Sequence, residues 1–272
     1  QLDKEIDILA ELINKSESSY IFTSEKSINF DLLRNNYYRE KLFKEIGERK
    51  TETYLQLGSV AAEAENYDSQ IKNSLFLVDS EYKLVNRYNK EKSIITAVNL
   101  PYKKKIFDYI NNYIKFDSKI FYSTDESVKI NNLSYLNLIA DEIFIPLILS
   151  KNEKTDKEYN LIINSAAEER INSKVYNNLS WSAAVMRAAE SRKSLLRISR
   201  GGYSGYINPK SNLVLKKRIK NNIEELNVAL IERTSYYHKN PKKIPYLILI
   251  FNAIIISIKL ILVIRKKLSS RN

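Results

Sequence analysis

Five pairs of neighbouring carboxylates are the groups in this chain whose spacing suits acid–base chemistry: Asp3/Asp7, Glu63/Glu65, Asp141/Glu142, Glu168/Glu169 and Glu224/Glu225. A catalytic pair has to converge in space, and adjacency in sequence does not provide that. Asp141 and Glu142 stand out because they interrupt the apolar run 133–149, where apolar neighbours would raise a carboxyl pKa. A helix boundary or a solvated edge produces the same pattern. The chain holds no cysteine and one histidine, His238. Thiolate nucleophiles, disulfides and Cys-ligated metals are therefore excluded. A Ser–His–Asp triad or a His-based zinc site would have to use a histidine that lies in no motif. No catalytic, metal or cofactor residue set is read from the sequence, and the inventory leans away from an enzyme.

Two further segments have chemical character. Arg200 to Tyr206 holds three of the five glycines, Gly201, Gly202 and Gly205. Glycines let backbone N–H groups approach an anion, but this run lacks the Gly-Lys-Ser/Thr ending of a phosphate loop. A turn at 200–206 that needs positive φ is the better expectation. Arg187, Arg192, Lys193, Arg197 and Arg200 form a basic run. They suit an anionic partner, but the C-terminal dipole and solvated face of a helix are the better expectation.

The net charge of +12 invites a nucleic-acid reading, but its location argues otherwise. Residues 239–272 hold eight Lys or Arg and no acid, which leaves +4 over residues 1–238. The surface ahead of the tail is thus nearly balanced, and no nucleic-acid partner is expected. Gln1–Lys15 is too charged for a signal peptide.

The elements that would position these groups read as mostly helical. Leu2, Ile6, Leu9 and Ile13 recur at helical spacing. Residues 31–71 read as helix, supported by Ala61-Ala-Glu-Ala64. Leu75–Val78 and Tyr82–Val85 read as strands about a tight turn. Ile94–Val98, a helix from Pro101 and a strand at Lys119–Tyr122 complete a small α/β element at about 74–130. Residues 133–149 read as buried core. Residues 158–199 and 211–236 read as a long helical hairpin, the second arm carrying an association seam at Ile219, Ile223, Leu226 and Leu230. Ala184 and Ala188 on the first arm would admit a neighbouring helix closely. The fold class expected is mainly α with this small α/β element. The predicted organisation is a globular region at 1–150, the hairpin at 151–238 and a membrane anchor at 239–272.

The anchor is expected at about 245–264, from Tyr246 to Ile264. Nineteen apolar-rich residues at ~1.5 Å rise match a bilayer core. It is flanked by Lys242 and Lys243 on one side and by Arg265, Lys266 and Lys267 on the other. Asn252 and Lys259 lie inside it, Lys259 close enough to Arg265 to snorkel to the interface. The predicted location is a single-pass membrane protein with a cytoplasmic C-terminus.

Leu75–Val85 (LFLVDSEYKLV) resembles the first strands of PAS-like and Cache-like sensor folds, which implies a ligand-sensing ectodomain. His238–Pro245 ahead of the final apolar run resembles the exit from the extracytoplasmic domain of polysaccharide co-polymerases, which implies control of polysaccharide chain length. The leading expectation is a non-enzymatic, membrane-anchored structural or assembly protein. It would act through helix–helix association, with the lipid bilayer and further copies of itself or other membrane proteins as partners. A membrane-tethered enzyme is the remaining alternative.

Overall fold

The computed structural model describes residues 1–47, 52–62, 71–90, 127–145, 159–169, 171, 173–210, 213–219, 222–233, 235–239 and 243–269. Helix α1 (Leu2–Asn14) buries Ile6, Ala10 and Ile13, one face at 4-3 spacing. After β1 (Tyr20–Phe22), helix α2 (Asn36–Ile46) starts where the Asn35 side chain accepts a hydrogen bond from Tyr38 N at 3.2 Å. It ends at Gly47, whose φ of 70° is a conformation that favours glycine. Strands β2 (Tyr54–Ala62), β3 (Ile71–Val78) and β4 (Leu84–Asn89) follow. Asp79 makes the β3–β4 turn, its Oδ1 accepting from Glu81 N and Lys83 N, each at 2.9 Å.

The second half contains β5 (Ser127–Ile130), β6 (Leu133–Ile139), a 3-10 helix (Ala140–Phe144) and β7 (Leu161–Ala167). Helix α3 (Lys174–Ser191) is capped by Ser173, whose hydroxyl accepts from Tyr176 N at 3.2 Å. Then come β8 (Ser194–Arg200), β9 (Ser204–Ile207), β10 (Leu213–Lys217), α4 (Tyr236–Lys239) and α5 (Lys243–Ser269).

The strands form two sheets. One has the order β1-β2-β3-β4, with β1 and β2 parallel and the rest antiparallel. The other has the order β10-β9-β8-β7-β6-β5, with β6, β7 and β8 parallel. Three apolar layers separate four layers of structure. Ile6, Ile13, Leu42 and Ile46 of α1 and α2 meet Leu55, Leu57 and Phe76 on the outer face of the first sheet. Leu77 meets Tyr135, Leu161 and Ile163 between the sheets. Trp181, Ala184 and Ala188 of α3 meet Leu136, Ile162 and Leu195 on the outer face of the second. The order is helix, sheet, sheet, helix. Each fully buried Leu, Ile or Phe contributes about 1.5–3 kcal/mol.

This architecture corrects the mainly helical expectation. The helix predicted over 31–71 stops at Ile46, and Tyr54–Ala62 is strand. Ala61 and Ala62 lie in β2, 0% and 4% exposed, so burial in a sheet overrides the helix propensity of alanine. The helix predicted over 158–199 is β7, α3 and β8. Leu161–Ala167 and Ser194–Arg200 are the central strands of a sheet covered on both faces. The long helical hairpin is absent: 213–217 is β10, and 222–233 has no regular structure. The turn at 200–206 joins two strands instead, with Gly201 at φ 86°. Of the strands predicted about 79–81, Leu75–Val78 lies within β3, whereas β4 starts only at Leu84, so Tyr82 and Lys83 precede it. The second sheet joins strands on both sides of residue 150, since β6 pairs with β7. The elements expected between 94 and 122 lie outside the described residues.

The expected membrane span is corrected as well: among the described residues, no helix is long and apolar enough to cross a membrane. Helix α5 covers the segment, with side chains described as far as Lys259. The described apolar stretch from Tyr246 to Ile258 is closed by that lysine. It would extend ~20 Å, against the ~30 Å of a bilayer core. The single-pass placement and the cytoplasmic C-terminus inferred from it fall with it.

Candidate functional site

Three segments meet at one end of the two sheets. The loop after β1 brings Glu25, the residue after β4 is Lys90, and the 3-10 helix after β6 brings Ala140, Asp141 and Glu142. β6 and β7 are parallel, and the site lies at their carboxyl ends, where open α/β sheets commonly carry their sites.

The Glu25 loop is held by its own hydroxyls. Gly58 N on β2 donates to Thr23 Oγ1 at 3.0 Å and to Ser27 Oγ at 3.1 Å. Those two oxygens are 2.7 Å apart. The loop presses so closely on β2 that a Cβ at Gly58 would lie 2.1 Å from Ser24 O and 2.9 Å from Glu25 Cα. Lys26 turns the chain with a φ of 54°. Glu25 is thereby directed inward, 4% exposed. Its Oε1 accepts from Asn73 Nδ2 at 2.5 Å and its Oε2 from Ala167 N at 3.0 Å. One carboxylate thus touches β3 of one sheet and β7 of the other.

Lys90 is tied to the same strand as Glu25, because its N donates to Asn73 O at 2.8 Å. Its ammonium forms an ion pair with Asp141 Oδ1. Burial pulls Lys90 down, but Asp141, Glu25 and Glu142 together outweigh it and hold the ammonium above its ordinary range. For Glu25 burial prevails: it pushes the carboxyl up, against Lys90, Lys26 and the two hydrogen-bond donors.

Ala140 has a φ of 49°, a left-handed conformation unusual for a residue with a Cβ. Two groups hold it there. Glu142, 0% exposed, folds back so that its Oε2 accepts from Ile139 N at 2.7 Å and from Tyr88 Oη at 2.9 Å. Asn164 Nδ2 donates to Leu138 O at 3.2 Å and to Ala140 O at 3.3 Å. Asn164 is held in turn by Arg197, which also donates to Glu168 Oε1 at 2.7 Å and to Ser180 Oγ at 3.1 Å. A sharp strand-to-helix turn of this kind is how a fold presents a nucleophile. Here the turn residue is an alanine, packed against the cluster of Leu75, Tyr88 and Ile139.

The residues singled out by sequence are distributed differently. Asp141 and Glu142 are in the site, Asp141 as the partner of Lys90 and Glu142 as a brace for the turn. Glu168 and Arg197 lie in the buried network behind Ala140, and Arg200 pairs with Glu169 at the surface. Ala184 and Ala188 are both 0% exposed against the second sheet, so they are not an interface for another helix. Ile219, Ile223, Leu226 and Leu230 lie outside any helix and form no seam. Tyr246 and Asn252 are exposed on α5, where Asn252 Nδ2 donates to Ile248 O at 2.8 Å. Lys243 opens that helix and Lys259 is exposed on it. Ile264, Arg265, Lys266 and Lys267 continue its backbone, and Lys242 and Glu63/Glu65 lie outside the described residues. Sequence reasoning missed Glu25, Lys90 and Ala140. The signal for Glu25 was the hydroxyl-rich run Thr23-Ser-Glu-Lys-Ser27, and for Lys90 its place directly after a strand.

Solved structures share this architecture over most of its length. A CN-hydrolase superfamily protein from Xanthomonas campestris, with an arsenic adduct in its active site, has a TM-score of 0.56 at 10% identity and covers 82% of this chain and 83% of its own. A cysteine-to-alanine mutant of an amidase of the nitrilase superfamily from Nesterenkonia has a TM-score of 0.54 at 12% identity, over 80% of this chain and 81% of its own. No family model matches the chain, and no curated protein matches it. At these identities the likeness shows the fold: the chain has the CN-hydrolase architecture.

The expected function is corrected accordingly. A membrane-anchored assembly protein acting through a helical seam has neither the seam nor a described helix able to cross a membrane. The sensor and chain-length alternatives fall too. The hairpin that suggested a sensor domain belongs to the first sheet of a fold shared with CN-hydrolase and nitrilase superfamily proteins.

Proposed function

We propose that this protein binds a small uncharged carbonyl compound between Glu25, Lys90 and Asp141, and that it does not cleave it through a thiol. The observation that carries this reading is Ala140, a strained turn residue beside the Lys90–Asp141 pair in a chain without cysteine. Lys90 supplies an ammonium donor to a carbonyl oxygen. Glu25, whose carboxyl pKa burial pushes up, supplies a second polar contact. Three carboxylates around one ammonium disfavour an anionic ligand. The similarity to nitrilase-superfamily structures supports an amide or related carbonyl group as the ligand class.

The test uses the purified chain with acetamide as probe. Chemical-shift titration is expected to show saturable binding that Lys90→Met removes. A panel of nitriles, amides and esters is expected to show no turnover. Turnover that disappears in Glu25→Gln would overturn the reading.

A further inference from the structure

Beneath the site, the space between the two sheets holds polar side chains that the packing leaves unsatisfied. Gln56 on β2 is 1% exposed, and among the described residues neither its Nε2 nor its Oε1 has a hydrogen-bond partner. Among the described residues, Asn137 on β6, 2% exposed, has no partner for its Oδ1, and Tyr135, 0% exposed, has none for its hydroxyl. Leaving such an atom dry carries the full desolvation penalty of the group, so three side chains in one layer require an account.

The register brings them together. Gln56 lies between Phe22 on β1 and Leu77 on β3. Phe22 packs edge-on against Tyr135, ring centroids 5.5 Å apart, and Leu77 belongs to the same apolar cluster as Tyr135 and Ile163. Asn137 is two residues along β6 from Tyr135, on the same face, and is paired with Ile163. Thr23 fixes the level of the two sheets. Its N donates to Gln56 O at 3.0 Å, and its O accepts from Ser165 Oγ, also at 3.0 Å. Ser165 is in register with Ile139, two residues beyond Asn137. Gln56 and the Tyr135–Asn137 edge therefore face each other across the sandwich.

We infer that Gln56, Asn137 and Tyr135 form an internal water site that bridges the two sheets under Glu25 and Ala140. A buried water typically makes about three hydrogen bonds to otherwise unsatisfied groups, and these side chains supply that number. Gln56 lies two residues before Gly58, which anchors the Glu25 loop, and Asn137 three residues before Ala140. The water thus links the strands that carry the two halves of the site. The inference is independent of what the site binds.

A high-resolution crystal structure of the chain tests it. Density is expected within roughly 2.7–3.2 Å of the Gln56 amide and of Asn137 Oδ1. Empty density, or a direct bond between the two amides, would overturn the inference. Stability gives an independent reading. With water bound, Gln56→Met strips one partner from the bridge and lowers Tm. A rise in Tm, the result for a dry layer relieved of a buried amide, would sink the idea.

Discussion

The ammonium of Lys90 and the carboxylate of Asp141 join the two sheets, linking the residue after β4 to the turn after β6. The pair is mostly buried, with side chains 20% and 12% exposed. In such a place the loss of one charge is worse than the loss of both, because the survivor keeps its desolvation penalty. Lys90→Met is expected to destabilise by about 3 kcal/mol, the lower end of the range for a broken buried pair because Lys90 is partly exposed. Lys90→Met combined with Asp141→Leu is expected to recover part of that loss in urea denaturation. The raised pKa of Lys90 adds a pH signature. Its contribution is complete below the ordinary lysine value of 10.5 and is lost as pH rises through the higher folded value.

Glu25 has the opposite sign from most structural carboxylates. Burial raises its folded pKa above the ordinary 4.5, so between the two values the native state binds more protons than the unfolded chain. Its contribution to stability is therefore greatest at acid pH and declines as pH rises from 4.5 through the folded value. Glu25→Gln removes that decline. The difference in Tm between variant and wild type is expected to move in favour of the variant from acid to neutral pH. A difference that stays flat across this window would remove burial as the dominant influence on Glu25.

Parts of this were legible in the residues and parts were not. Leu2, Ile6, Leu9 and Ile13 mark α1 because a helix packed on one side must repeat its apolar face. The β3–β4 turn is legible because Asp79 makes it locally. Leu161–Ala167 and Ser194–Arg200 were not, because strands covered on both faces lose the alternation that identifies a strand. The site was less legible still. Asp141 and Glu142 drew attention as acids in an apolar run. Their partners Lys90 and Tyr88 are about fifty residues away in sequence, and only the pairing of distant strands brings them close. Ala140 carries no sequence signal, since its distinction is a backbone angle.

The φ of 49° at Ala140 makes a test that departs from the usual rule. Replacing alanine by glycine normally destabilises, because glycine loses more backbone freedom on folding. At a left-handed position the alanine Cβ itself costs about 1–2 kcal/mol, a penalty glycine does not carry. Ala140→Gly is thus expected to leave stability unchanged or to raise it by about 1 kcal/mol in urea denaturation. A loss larger than that would mean that the methyl group's contacts with Leu75, Tyr88 and Ile139 outweigh the backbone strain.

What keeps Ala140 in that conformation extends well behind the site, to a guanidinium with no solvent contact. The Arg197 side chain is 0% exposed, and it joins Asn164, Glu168 and Ser180. Glu168 Oε2 also accepts from Ser199 Oγ at 2.8 Å, so the network spans β7, β8 and α3. Burial pulls Arg197 down, and the Glu168 carboxylate opposes it. Arg197→Met would leave Glu168 buried without its cation and free Asn164 from the contact that aims it at Leu138 O and Ala140 O. The expected loss is about 3–5 kcal/mol. Arg197→Met with Glu168→Gln is expected to be closer to wild type in stability, because no uncompensated charge remains. It would still release Asn164. Ligand binding at the Lys90 site should therefore stay weakened in the double variant even where stability returns, and this separates the network's role in folding from its role in holding the turn. Wild-type binding in the stabilised double variant would show that Glu142 alone holds Ala140 in place.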